Sequence, residues 1–594
     1  MIGSSCDMLN GTQTGTCNNA GEIVSDSAFL DVALSLSIKT ILVILFHFSI
    51  LRISWINHPI FRDSRSPKMV PYAIPFFGSA AAFWGDITGF ISMYTKKYKS
   101  DIFAAYVGGR PIVFVTDPFA AANLISGRIP QLSWSDTKFR LLNHAMQTSE
   151  DGANVWAQMD TRIGHSLLEK HLMKNDNLHD NLMKYQHHLK HSILPALACD
   201  ANEKKNSNEF RSVGIMDLVG GAIYRSTAES LYGYKTFSTH EDFQQSILFD
   251  KKLALFTGIK SGWIQKKLSP LSFEAREDMV EKMRQVYRSL EEQSKNNESN
   301  IDTSTQSKLS KMAVEVDNLY NDKMNHEDLT RYRYLYFAAA FMNTVPAAFW
   351  SFYEMMANEE AFNAVRKEIL DLYAMKSEPG YKPIEKKGNE TKEENAIDED
   401  DGENKYSAKE YFTLAELDQM ECLDSIITET LRLRSTNKML RVRYAIDDFE
   451  IKLNLPITQK VHQFHVKKGT YFVSLPTVMH RDPEIFKDPL VFQWDRFRKD
   501  PQTGKLPVFS KNGKKIIRPV DAFGGGPTMC PGRRFARTEI KAVISSLIVH
   551  YDFRFPKNES GAFEVPAPPI DHVTFVNSGM PLHDVQIEIK DKVP

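Results

Sequence analysis

One stretch, Phe523 to Ile540, reads FGGGPTMCPGRRFARTEI and puts a cysteine, Cys530, between a run of three glycines and the start of a helix. Gly524, Gly525 and Gly526 permit backbone conformations closed to other residues and let the loop approach a flat ligand closely. The helix that follows carries an apolar stripe at Ala536, Ile540, Val543, Ile544 and Leu547. Its N-terminus, with Arg533 and Arg534 nearby, favours the thiolate form of Cys530. A thiolate so placed is a good axial ligand for haem iron, because it pushes electron density onto the metal and favours O–O cleavage. Cys6, Cys17, Cys199 and Cys422 are scattered and form no CxxC pair, which argues against a disulfide scaffold and a structural zinc site.

Two further segments must position such a ligand. In the helix expected over 421–434, Glu429 and Arg432 stand at i and i+3, on one face and within reach of each other. Ile426, Ile427 and Leu431 surround them, and a buried pair of this kind needs further hydrogen bonds. Tyr334 to Met356 is apolar all round and reads as a buried helix, thinned by Ala338, Ala339 and Ala340 so that a flat cofactor can lie against it. Pro346 kinks it and frees a carbonyl near Met342.

Phe523, Gly526, Cys530 and Gly532 meet the signature Phe, two residues, Gly, three residues, Cys, one residue, Gly, and here the chain resembles the cytochrome P450 superfamily. The resemblance implies a mainly α fold with small β-sheets and haem b ligated by Cys530, with Phe523, Gly526 and Gly532 shaping its loop. It implies that Arg443 contacts a haem propionate, and that Arg496, in FQWDRF, completes a structural cluster with Glu429 and Arg432. Thr528 departs from the pattern, since most members carry there an Arg that binds a propionate. In the central helix Met342 stands where the family has an acid, and Asn343 where it has a Thr. Proton delivery then rests on Asn343, on Thr344 or on water, and Asn343 serves equally well as a partner for the freed backbone.

Asn343 and Thr344, followed by an apolar residue, Pro, Ala and then Phe-Trp, resemble the branch of cholesterol and oxysterol 7α-hydroxylases, sterol 12α-hydroxylase and prostacyclin synthase. The likeness extends to residues 478–497 and 70–83. It implies a monooxygenase that hydroxylates a hydrophobic, sterol-like substrate with O2 and electrons from an NADPH-dependent flavoprotein reductase. An endoperoxide isomerase of prostacyclin-synthase type needs neither, and a haem-binding protein without turnover is a third reading.

Length and composition set the frame. The chain has 594 residues and a net charge of −1, which excludes a protein whose bulk binds nucleic acid. A mean hydropathy of −0.34 excludes a polytopic membrane protein. One span remains: Val32 to Leu51 is long enough to cross a bilayer, with Lys39 as its flaw. Arg52, Arg62, Arg65 and Lys68 follow it and no Lys or Arg precedes it, so the C-terminal part is expected in the cytosol and the protein at the endoplasmic reticulum membrane. On that topology Asn10 is a luminal glycosylation acceptor. The expected organisation is a luminal tail (1–27), an anchor (28–55), a Pro-rich link (56–77) and a catalytic domain (78–594). Within the domain, the polar stretches 294–308 and 376–410 read as flexible insertions. Short strands are expected at 102–107 and 111–116, helices from about 150 to 375, and strands again within 443–473. From Lys505 to Lys541 nine basic residues face two acidic ones, a surface suited to an acidic redox partner.

Overall fold

The computed structural model describes residues 39–47, 66–72, 77–198, 209–296, 309–379, 381, 410–434, 441–455, 460–558, 561, 563–569 and 579–592. The expected luminal tail, most of the anchor and most of both insertions lie outside the described residues. Among the described residues no helix is long and apolar enough to cross a membrane. Residues 39–47 are helical, and Ile41 to Phe46 are exposed.

A five-stranded sheet lies near the N-terminal end of the described domain. Its strands are β1 (Ile102–Val107), β2 (Arg110–Val115), β3 (Leu132–Ser133), β4 (Val442–Ala445) and β5 (Tyr471–Val473), in spatial order β1-β2-β5-β4-β3. The β2–β5 pair is parallel and the others antiparallel. Gly108 and Gly109 turn the β1–β2 hairpin with positive φ, a conformation that favours glycine. The link is tied to this sheet: Met69 pairs with Ala104, and Val70 is buried against Phe103 and Phe114.

The rest is mainly helical. The helices that matter for the site are α1 (Ser135–Arg140), α2 (Thr161–Leu172), α3 (His326–Phe341), α4 (Thr344–Ala357), α5 (Glu421–Arg434) and α6 (Arg533–His550). One large apolar core runs through α3, α4, α5 and α6, with Phe337, Phe349, Trp350, Ile426, Ile427 and Val543 fully buried. Asn325 caps α3 by accepting the Asp328 N–H at 2.9 Å. The single helix expected through 334–356 is broken between α3 and α4 at Met342–Asn343. The cause is Pro346, which has no N–H to return to the Met342 carbonyl. The N-terminus of α5 is capped from the helix Glu359–Met375, where Glu368 accepts the Cys422 N–H at 2.8 Å and the Leu423 N–H at 3.2 Å.

Candidate active site

The cysteine loop is closed by one backbone bond, from the Cys530 N–H to the Phe523 carbonyl, at 2.8 Å. Gly526 takes φ +57°, and a Cβ there would fall 2.0 Å from the Ile125 carbonyl oxygen, so only glycine fits. A Cβ on Gly532 would lie 3.4 Å from Leu172 and 3.9 Å from the Cys530 sulfur. Burial pushes the Cys530 thiol up to about 11, opposed by the Gly532 N–H and by Arg533. The expected bias toward thiolate is therefore outweighed by desolvation, and Arg534 is spent on the Met173 carbonyl and Asn175. A metal reverses the balance, since a coordinating thiol is deprotonated outright.

The loop is held from behind. Arg432 makes a two-pronged bond to Glu429, Nε and Nη2 each at 2.7 Å, and Arg496 reaches the same carboxylate at 3.0 Å. Glu429 and Arg432 are wholly buried. The remaining Arg432 donor serves the carbonyls of His480 and Pro489, so the buried cation is saturated. His480 extends the chain toward the cysteine: Nδ1 donates to the Arg432 carbonyl at 3.0 Å and Nε2 accepts the Asp521 N–H at 2.8 Å. Sequence reasoning missed His480, whose only signal is its place in VMHRDP.

A cavity of about 350 Å3 separates this loop from the broken helix. Phe523, Thr528, Cys530 and Gly532 line it from the loop, and Ala339, Ala340, Asn343 and Thr344 from α3 and α4. Ala339 is exposed to it, whereas Phe337, Ala338, Phe341 and Met342 point into the core. Thr344 donates to the Ala340 carbonyl at 3.2 Å, while Asn343 makes no side-chain capping bond to α4. Arg443 does not line the cavity. Its guanidinium reaches Thr528 Oγ1 at 2.9 Å, one hydrogen bond behind the wall, and burial pushes its pKa down to about 10.

Two residues that sequence reasoning missed face the same cavity. Lys138 on α1 is 4% exposed, donates to the Met159 carbonyl at 2.8 Å, and forms no ion pair among the described residues. Burial pushes its amine down to about 8. The Trp134 Nε1–H beside it is buried without a partner. Glu539 also lines the cavity, accepts from Thr227 at 3.2 Å, and burial pushes it up to about 8. Haem suits these residues: a flat apolar slot walled by alanines, a cysteine at one face, and an orphaned donor and an unpaired cation for its propionate carboxylates.

The basic surface is smaller than the charge count suggests. Lys511 pairs with Asp482, Arg533 with Glu169, Arg534 with Asp418, and both Arg537 and Lys541 with Asp424. Lys505, Lys514, Lys515 and Arg518 remain exposed without an ion pair among the described residues.

A mainly helical fold that presents a cysteine loop to a slot under a broken helix is the architecture of haem-thiolate proteins. The cytochrome P450 family model matches residues 67–386 and 399–568, and the chain belongs to that family. It is thus a cytochrome P450 monooxygenase, whose cofactor is haem iron held by a cysteine thiolate and whose family works with a redox partner on hydrophobic substrates. The chain is 24% identical over 502 residues to mouse cytochrome P450 7B1, covering 83% of this chain and 85% of that protein. It is 25% identical over 534 residues to human 7-alpha-hydroxycholest-4-en-3-one 12-alpha-hydroxylase, covering 88% and 93%. Among solved structures it is similar to a retinoic acid-bound cyanobacterial CYP120A1, with a TM-score of 0.57 and 17% identity over 89% of this chain and 99% of that one.

Proposed function

We propose that the protein hydroxylates a sterol or oxysterol, using O2 and two electrons from an NADPH-dependent flavoprotein reductase. Near-full-length likeness to sterol hydroxylases is the observation that carries the substrate class. Cys530 would hold the haem iron, and the bound haem would supply O2 activation and C–H oxidation. Glu429, Arg432 and Arg496 hold the cysteine loop; Phe523, Gly526 and Gly532 shape it. Trp134 and Lys138 would hold propionate, and Arg443 braces Thr528, whose own hydroxyl donates to the Gly525 carbonyl at 3.0 Å. Asn343, with Thr344 behind it, offers a hydrogen-bonding group on the α3–α4 wall of the cavity. Trp156, Tyr332 and Tyr336 make the cavity walls apolar enough for a sterol ring system.

Electrons arrive through the exposed Lys505, Lys514, Lys515 and Arg518, whose charge attracts an acidic flavoprotein. The domain is held at the endoplasmic reticulum membrane by the 28–55 anchor, with 56–77 as its link and 78–594 in the cytosol. The exposed Ile41–Phe46 face supports that anchor, and exposed Trp263, Leu268 and Leu271 flanked by Lys266 and Lys267 supply a second membrane contact. Glycosidase sensitivity that maps to Asn558 instead of Asn10 would overturn this topology.

Met342 favours a second reading, since it is buried where the family keeps an acid, and a peroxide isomerase has no need of that proton source. One pair of assays separates the two. Conversion of a sterol that requires NADPH and reductase supports the hydroxylase. Turnover of an endoperoxide without either, and none of sterols, supports the isomerase.

A further inference from the structure

Six tyrosines crowd one flank of the cavity, and the hydroxylation chemistry uses none of them. Tyr232, Tyr320, Tyr332 and Tyr336 line the cavity itself. Tyr232 meets Tyr336 edge to face with centroids 5.7 Å apart, stacks on Tyr234 at 5.3 Å, and its hydroxyl donates to the Tyr336 carbonyl. Tyr234 meets Tyr287 at 6.4 Å, and their hydroxyls are 3.1 Å apart. Tyr287 is the last of the series. The Arg333 guanidinium lies 3.4 Å from its ring centroid and pairs with Asp317 at 3.1 Å, and the Asp317 carboxylate lies close enough to Tyr287 to add to the rise that burial gives its pKa. A branch runs from Tyr336 through Tyr332 to Tyr320, at 6.0 and 4.5 Å. These spacings all lie in the range of direct aromatic contact.

Tyrosine is, with tryptophan, the side chain most readily oxidised by one electron, and a phenol keeps the resulting hole only if its proton has somewhere to go. The Tyr336 hydroxyl has no hydrogen-bond partner among the described residues, so that ring can pass a hole on but not hold it. Burial raises the pKa values of Tyr232, Tyr234 and Tyr336 far above the ordinary phenol value, so each keeps its proton at neutral pH. Tyr287 differs from them in having the Asp317 carboxylate at hand to take its proton, and Asp317 keeps some contact with solvent.

We propose that the series Tyr336, Tyr232, Tyr234, Tyr287 conducts oxidising equivalents out of the cavity when a peroxide is reduced there without substrate oxidation. The net reaction is one hydrogen peroxide and two phenols giving two waters and two phenoxyl radicals. At Tyr287 the electron leaves through the contacting rings and the proton passes to Asp317. A small one-electron donor in solution, such as ascorbate, returns an electron and a proton to each radical. The series protects the haem and the cysteine from the oxidant they would otherwise absorb. This inference needs the haem-thiolate cofactor but not the sterol reading.

The test uses the haem-loaded full chain, free of substrate, mixed with hydrogen peroxide and frozen within milliseconds. Electron paramagnetic resonance should find a tyrosyl radical that falls several-fold in Tyr287→Phe and in Tyr234→Phe. Haem bleaching by peroxide should accelerate several-fold in Tyr234→Phe. Phenylalanine keeps the ring and its packing, and the reduced, carbon monoxide-bound spectrum checks that each variant carries a thiolate-bound haem; its absence in the unmodified protein would defeat the family assignment instead. A radical signal and a bleaching rate unchanged in both variants, or a radical assigned to a tyrosine outside the series, overturns the proposal.

Discussion

The two walls of the cavity are built on opposite principles. The cysteine wall is made of named chemical partners: a carboxylate shared by two guanidiniums, a histidine using both ring nitrogens, and a glycine that no other residue can replace. The helix wall is made of omissions. Ala339 and Ala340 leave room, Met342 turns away into the core, and Pro346 removes a hydrogen bond. A wall of partners fixes where an atom sits, so each loss costs a buried charge or an unmet donor. A wall of omissions fixes a shape, and its chemistry changes by single substitutions without unfolding the protein.

The largest effect should come from Cys530→Ala, which removes the ligand. The reduced, carbon monoxide-bound spectrum should lose its thiolate band and turnover should vanish; a surviving band would mean that the wall has been assigned to the wrong sulfur. Next is Glu429→Gln, which leaves the Arg432 guanidinium buried with its charge unanswered. Breaking a buried pair in this way costs about 3–5 kcal/mol. Thermal melts should drop accordingly and haem should be lost on purification. If Glu429→Gln melts with the unmodified protein, the cluster is ornamental and the contrast between the walls fails.

Legibility followed the same division. Phe523, Gly526, Cys530 and Gly532 lie within ten residues, so the loop could be read directly from their spacing. Glu429 and Arg432 were readable because i and i+3 share a helix face, and Arg496 only through the family resemblance. Lys138 and Trp134 were not, being nearly 400 residues from the cysteine they face and ordinary in their local setting. His480 carried no periodic signal. The break at Met342–Asn343 was foreshadowed by Pro346, but its sharpness depends on tertiary packing of α4. The basic face was overcounted because Glu169, Asp418, Asp424 and Asp482, all outside the counted stretch, cancel most of it.

Lys138 sharpens the comparison from the edge of the cavity, where a buried amine has only the charge of Asp160 to oppose its desolvation. In the haem-free protein its burial lowers the pKa from 10.5 to about 8, a penalty on the order of 3–4 kcal/mol at 1.36 kcal/mol per pH unit. The penalty is present in full below pH 8. As pH rises from 8 to 10.5 the unfolded chain still holds the proton that the folded one has released, so stability climbs; above 10.5 the effect is gone. Lys138→Met should therefore raise the melting temperature of the haem-free protein at pH 7, flatten its rise toward pH 10, and weaken haem binding. A variant that loses stability at pH 7 instead would mean that another group already answers the charge.

Asn343 and Thr344 give the smallest effect and the finest test of the helix wall. Thr344 spends its hydroxyl on the Ala340 carbonyl and also faces Glu539, so its polar group already serves the fold. The Asn343 side chain faces the cavity and does not cap α4. It is therefore Asn343, and not its neighbour, that has hydrogen-bonding capacity to spare at the face opposite the cysteine. Proton transfer by a positioned group contributes about 100-fold or more. A carboxamide that only orders water should contribute less, so Asn343→Ala is expected to lower product formed per NADPH consumed about tenfold, or ~1.4 kcal/mol. Its spectrum and melting temperature should stay unchanged. Thr344→Val should do the reverse, lowering stability and leaving coupling nearly intact. If coupling collapses in Thr344→Val and survives in Asn343→Ala, the residue that took the place of the usual threonine is a spacer, and the proton path runs through Thr344 and Glu539 instead.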